Sequence, residues 1–98
     1  MTNIIKQSGV LSWQATNISK APSKHGVYVL RLATDLSSIV YIGSTDNLEH
    51  RLNEHFISGD IQGVLFFDWY ETSSLEEARN LEKHWITKYS PKYNSVVV

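Results

Sequence analysis

An α+β fold, with a small and mainly antiparallel sheet covered by helices, follows from three patterns along the chain. Two strand-like runs, residues 26–32 and 38–43, flank a polar stretch short enough to be a hairpin loop. Two later stretches place apolar residues at helical spacing behind residue pairs that resemble capping boxes. Between those helices, residues 64–70 (VLFFDWY) are too short and too apolar for a surface helix and read as a buried strand. The element order is therefore β-β-α-β-α.

Taken in order, residues 1–21 form a mixed lead-in whose apolar piece at 10–13 suits an edge strand, and Ala21-Pro22-Ser23 is a loop signal. Residues 22–98 make up the main domain. The run 26–32 (GVYVLRL) is rich in β-branched and aromatic residues, and residues 33–37 suit the hairpin loop. A hairpin centred between Thr34 and Asp35 sets Tyr28 directly opposite Tyr41 on one sheet face. Gly43 ends the second strand without a side chain and leaves room for a close approach. Asp46 with Glu49 reads as the capping pair of a first helix carrying Leu48, Leu52 and Phe56, which residues 59–63 break. Ser74 with Glu77 opens a second helix that closes near Ser90-Pro91. Residues 94–98 add a terminal strand or lie extended against the body.

Composition narrows the class. The chain has 98 residues, 42% of them apolar and 11% aromatic, which suits one packed domain. No run approaches the roughly 18 apolar residues of a membrane span, and residues 1–9 lack the layout of a signal peptide. An intracellular, cytoplasmic protein is the expectation. With no cysteine there is no disulfide framework and no thiolate metal site, so a metal would be held by oxygen or imidazole. The net charge is −1, but it is unevenly spread. From Ser44 to Ala78 the only basic residue is Arg51, against eight acidic ones. Seven of the nine basic residues lie in segments 20–31 and 79–92, which make a local basic surface if they meet in space.

Glu82 is the most informative residue. On a helical wheel it falls inside the arc of Leu75, Ala78, Leu81, Trp85, Ile86 and Tyr89. A carboxylate on a core-facing stripe must be paired, protonated or bound to a cation. A metal answers that need, a nearby Lys or Arg does so too, and a place at the wet edge of the arc removes it. Tyr28 and Tyr41 share a sheet face, either as a cross-strand aromatic pair or as a functional pair of phenols. Arg51 and His55, at i and i+4, border the core face of the first helix, where they pack their stems or serve a site. Arg can fork onto a phosphate, and His can move a proton near neutral pH. There is no Gly-rich phosphate loop, no G-x-S-x-G elbow and no paired-His zinc motif. A carboxylate for a hard cation, an Arg for phosphate and a phenol that can take a proton suit phosphodiester hydrolysis.

Gly26-Val27-Tyr28 and Tyr41-Ile42-Gly43 resemble the two signature tripeptides of the GIY-YIG nuclease superfamily, with Val in place of the first Ile. Arg51, His55, Glu82 on a late helix, and the Asn94 of Pro91-Lys92-Tyr93-Asn94 continue the resemblance in order. It implies a three-stranded antiparallel sheet flanked by helices, and an endonuclease that hydrolyses DNA with a divalent metal. In that family the position of Glu82 holds the metal, normally magnesium or manganese. Tyr28 is then the base toward the attacking water and Tyr41 its support. Arg51 contacts the phosphate, His55 assists, and Asn94 helps to order the site. A neighbouring cation and Arg51 would favour the Tyr28 phenolate. Some relatives carry Lys after the second tripeptide, where this chain has Ser44.

Two other readings stay open at this stage. One is a nucleic-acid-binding module of the same fold that cuts slowly or not at all. The other is a protein-interaction domain using Trp13, Trp69 and Trp85. The acidic middle of the chain further implies weak binding to plain duplex DNA, with a dimer, a partner protein, or a flap or junction that offers its phosphate to a small footprint completing the grip.

Overall fold

The computed structural model describes residues 4–94. Its elements are β1 (Ile4–Gln7), β2 (Leu11–Ser12), α1 (Ala15–Ile18), β3 (Gly26–Arg31), β4 (Ile39–Thr45), α2 (Leu48–Ser58), β5 (Phe66–Thr72) and α3 (Leu75–Tyr89), with a 3-10 turn at Leu36–Ser38 before β4. The fold is α+β. Strands β4, β3 and β5 form the expected antiparallel trio, with β3 in the centre. The sheet is wider than three strands, because β1 and β2 both pair with the outer edge of β5. No helix among the described residues is long and apolar enough to cross a membrane.

The central strand β3 is buried on both faces, so its alternation separates two cores. Tyr28 and Leu30 pack with Phe67 and Trp69 against Ile18 of α1 and Leu48 and Leu52 of α2. Val27 and Val29 pack with Ile42 against Ala78 and Leu81 of α3. Leu48 and Leu52 are buried as their spacing requires, whereas Phe56 is 36% exposed and packs edge-on with the Trp13 ring.

The β3–β4 register differs from the sequence expectation. Tyr28 pairs with Gly43, and Tyr41 pairs with Leu30. The 3-10 turn and a bulge after Leu30 move the hairpin centre by one residue. Paired numbers shift by two, so the two tyrosines keep a common face and sit diagonally, ring centroids 6.1 Å apart. Strand β4 also runs past Gly43 to Thr45. Gly43 is where the close approach occurs: a Cβ there would collide with the Tyr28 ring and hydroxyl. At Gly26 a Cβ would strike the Tyr70 carbonyl and lie 2.8 Å from Leu48 Cδ1.

Helix α2 is capped by Asn47, not Asp46, because the Asn47 side chain accepts from His50 N at 3.1 Å. Ser74 caps α3 as expected, accepting from Glu77 N at 3.1 Å. Gly59, at φ 62, ends α2 in the left-handed conformation. Of the terminal segment 94–98, only Asn94 lies within the described residues. Tyr93 N donates to Val40 O at 2.8 Å, so the turn before it closes onto the open edge of β4.

The charge map is corrected at Arg31. It belongs to no basic surface, being 5% exposed and forked onto Asp68 at 2.9 and 3.0 Å. The Tyr70 hydroxyl donates to the same carboxylate. Removing one partner would leave a buried, unpaired charge. Asp68→Leu is expected to lower stability by about 3–5 kcal/mol in urea denaturation. Adding Arg31→Met should recover most of that loss. A single Asp68→Leu variant as stable as wild type would mean the pair holds nothing.

Candidate active site

Four successive residues of β4 organise the site, and they alternate between the two sheet faces. Tyr41 and Gly43 point toward α2, while Ile42 and Ser44 point toward α3, following the pairings with Leu30, Tyr28, Val29 and Val27.

On the α2 side, Tyr28 lies across Gly43 and is 1% exposed. Its hydroxyl is 2.9 Å from Nε2 of His55, which α2 turns inward until the residue is 3% exposed. The rings of Tyr28, Tyr41 and His55 form a triangle with centroids 6.1, 5.4 and 5.6 Å apart. Tyr41 is only partly buried, so it forms the solvent side of the trio. Burial pushes the Tyr28 phenol well above its ordinary range, and Tyr41 adds to the rise, while the Arg51 charge opposes it. Burial thus outweighs the Arg51 charge, and among the protein's own groups the phenol holds its proton.

Arg51 stands one turn before His55 on α2, with its side chain 40% exposed. Its Nη1 reaches Glu54 at 3.3 Å. An exposed pair of this kind contributes roughly 0–1 kcal/mol, so the guanidinium can be drawn away to a phosphate at small cost.

On the α3 side, Glu82 is half-buried at the rim of the apolar stripe, and the Ser44 hydroxyl donates to its Oε1 at 2.6 Å. Among the described residues no other side chain bonds that carboxylate, so Glu82 lies at the wet edge of the arc and not in the Lys or Arg pairing that a core-facing Glu could have had. Among the described residues no group of three or more His, Asp or Glu could hold a metal. Glu82 is thus a single hard oxygen donor. That donor set suits Mg²⁺ or Mn²⁺, which keep several waters and take the rest of their ligands from phosphates. It does not suit zinc, which needs a nitrogen- and sulfur-rich cage.

Asn94 is spent on backbone. Its Oδ1 accepts from Ile42 N at 2.6 Å and its Nδ2 donates to Ile42 O at 2.8 Å. It clamps the strand between Tyr41 and Gly43 and does not project into open space.

Tyr28, Tyr41 and His55 are therefore in contact, with Arg51 beside them, and Glu82 is linked to the same strand through Ser44. Two participants were not singled out as site residues. Ser44 orients Glu82. Asp60 accepts from His55 Nδ1, with oxygens at 2.8 and 3.0 Å, and the Ser58 hydroxyl braces it at 3.0 Å. The only sequence cue to Asp60 is Gly59 just after His55's last turn, since a left-handed Gly can fold the next residue back onto the helix end.

Comparison with known proteins bears on the family and the fold of the chain. Residues 24–94 match the model of the GIY-YIG catalytic domain. Over 82 residues the chain is 33% identical to UvrABC system protein C of Clostridium beijerinckii, covering 74% of this chain and 13% of that protein. The Clostridium botulinum counterpart is 31% identical over 93 residues, covering 86% of this chain and 14% of the relative. The chain thus spans only a small part of these relatives. Among solved structures, it resembles the GIY-YIG N-terminal endonuclease domain of UvrC from Thermotoga maritima. A point mutant bound to its catalytic divalent cation aligns with TM-score 0.69 and 27% identity, covering 83% of this chain and 93% of that one. The magnesium-bound form aligns with TM-score 0.63 and 26% identity, covering 80% and 91%. With its two tripeptides, its sheet and this match over residues 24–94, the chain belongs to the GIY-YIG family.

Proposed function

We propose that this chain is a divalent-metal-dependent endonuclease that hydrolyses DNA phosphodiester bonds inside the cell. The observation that carries the reading is Glu82. It is a half-buried carboxylate that receives only a serine hydroxyl and is tied to the strand bearing the paired tyrosines. The Ser44 hydroxyl occupies one oxygen and leaves the charge of the carboxylate open to a cation.

In this reading Glu82 holds Mg²⁺ or Mn²⁺, and Ser44 fixes the direction of its carboxylate. The bound cation would supply charge stabilisation at the phosphate and acidify a water. Arg51 leaves Glu54 and forks onto the scissile phosphate, neutralising charge that develops on its oxygens. Tyr41, the more accessible phenol, meets and orients the attacking water. Tyr28 lies behind it and relays a proton toward His55. This division of labour follows from burial, since a residue 1% exposed cannot itself meet bulk water. Asn94 acts by positioning: it holds the Ile42 backbone and so fixes the register of Tyr41.

The substrate grip of the isolated domain is weak in this account. Arg31 is withdrawn into its ion pair, and α2 presents Glu49 and Glu54 beside Arg51. A partner protein, a second copy, or DNA that offers its phosphate to a small footprint completes binding.

Glu82→Gln keeps size and hydrogen bonding but removes the charge. It is expected to abolish Mg²⁺-dependent cleavage of a panel of duplex, branched and flapped DNA while leaving the circular dichroism spectrum unchanged. Wild-type cutting by this variant would remove the metal role. The phenols are separated by Phe substitutions, which keep the rings. Tyr41→Phe and Tyr28→Phe are each expected to slow single-turnover cleavage by at least about 10²-fold. If both cut normally, the pair is an aromatic contact only.

A further inference from the structure

We infer that Asp60 is a positioning residue, holding His55 in the one neutral tautomer whose Nε2 can take the proton of Tyr28. The inference rests on the nuclease reading for its catalytic consequence, but its structural content stands alone.

Burial alone would raise the Asp60 carboxyl, yet the hydrogen bonds it accepts from His55, Ser58 and its own backbone hold the group below its ordinary range. At neutral pH it is therefore ionised and can only accept. Both of its oxygens face His55 Nδ1, at 2.8 and 3.0 Å. Nδ1 must then carry the ring hydrogen. A neutral imidazole has one N–H, so Nε2 is bare, and the Tyr28 hydroxyl 2.9 Å away is the donor. In the opposite tautomer Nε2 would donate to the phenol, and the Tyr28 proton would have to turn away from His55 toward Tyr41.

The placement makes sense for proton transfer and not for the helix. An acidic residue just past a helix C-terminus meets the negative end of the dipole, so the dipole of α2 does not favour Asp60 there. Gly59 nonetheless turns the chain back to deliver it. The His55 side chain is 2% exposed and the Asp60 side chain 47%. The charge is kept in water while the ring it orients is sealed. When Tyr28 gives up its proton, its O–H bond breaks and an N–H bond forms at Nε2. The electron pair stays on the phenolate oxygen. The new imidazolium lies between phenolate and carboxylate, so no net charge is created in the core.

The test uses the full chain, without DNA or metal, by two-bond nitrogen–proton NMR of the histidine rings at a pH where they are neutral. Wild type is expected to show His55 with its hydrogen on Nδ1. Asp60→Asn can turn its NH₂ toward Nδ1 and is expected to move the hydrogen to Nε2. Asp60→Ala, which removes the acceptor, serves if the Asn variant does not fold, and should lose the pure Nδ1–H form. In cleavage assays Asp60→Asn should lower kcat by about 10²-fold or more with KM little changed. A wild-type His55 with its hydrogen on Nε2, or a tautomer unchanged in both variants, would overturn the inference. A chain that cuts no DNA yet shows the expected tautomer and its reversal would overturn the nuclease reading instead and leave the placement of Asp60 standing.

Discussion

The close passage of the Tyr28 ring over Gly43 is the constraint on which the rest of the site depends. Any side chain at that position would collide with the ring and its hydroxyl. With the passage open, the phenol reaches His55, and the register it fixes lets each neighbouring residue of β4 serve one purpose. Tyr41 closes the ring triangle, Ile42 offers its backbone to Asn94, and Ser44 turns to Glu82. A shift of one residue would exchange the two faces and send Tyr41 toward α3. The second tripeptide is therefore a geometric requirement before it is a chemical one.

This arrangement divides the site across an edge strand. The phenols and imidazole lie on the α2 face, with Tyr28 and His55 buried and Tyr41 at the solvent side, while the carboxylate sits at the rim of the α3 face. Burial keeps the Tyr28 proton in place until an acceptor is prepared, which the His55–Asp60 pair supplies in this account. The open side of β4 could have been a site of unwanted strand pairing. Tyr93 and Asn94 cover it instead, so the closing turn both protects the edge and holds the register.

Much of this was legible in the sequence because side-chain periodicity survives local error. Tyr28 and Tyr41 share a face although the hairpin centre differs, since paired numbers moved by an even count. Leu48, Leu52, Ala78 and Leu81 are buried as their helical spacing demands. What was hidden depends on contacts without periodicity. Strand β1 (Ile4–Gln7) is exposed along its length, so its residues carry no alternation to read. Arg31 looked like part of a basic patch because its partner Asp68 lies on another strand. Asp60 became relevant only through the left-handed turn at Gly59.

The central claim is that Glu82, held by Ser44, is the metal position of a site shared with the tyrosine pair. Substoichiometric Mn²⁺ added to nitrogen-15-labelled protein tests it most directly, because paramagnetic broadening falls steeply with distance. The account expects the amides of Ser44 and Glu82 to broaden first, at concentrations that leave α2 unaffected. Broadening centred on Glu49, Glu54 and Asp60, or none selective for Ser44 and Glu82, would contradict it.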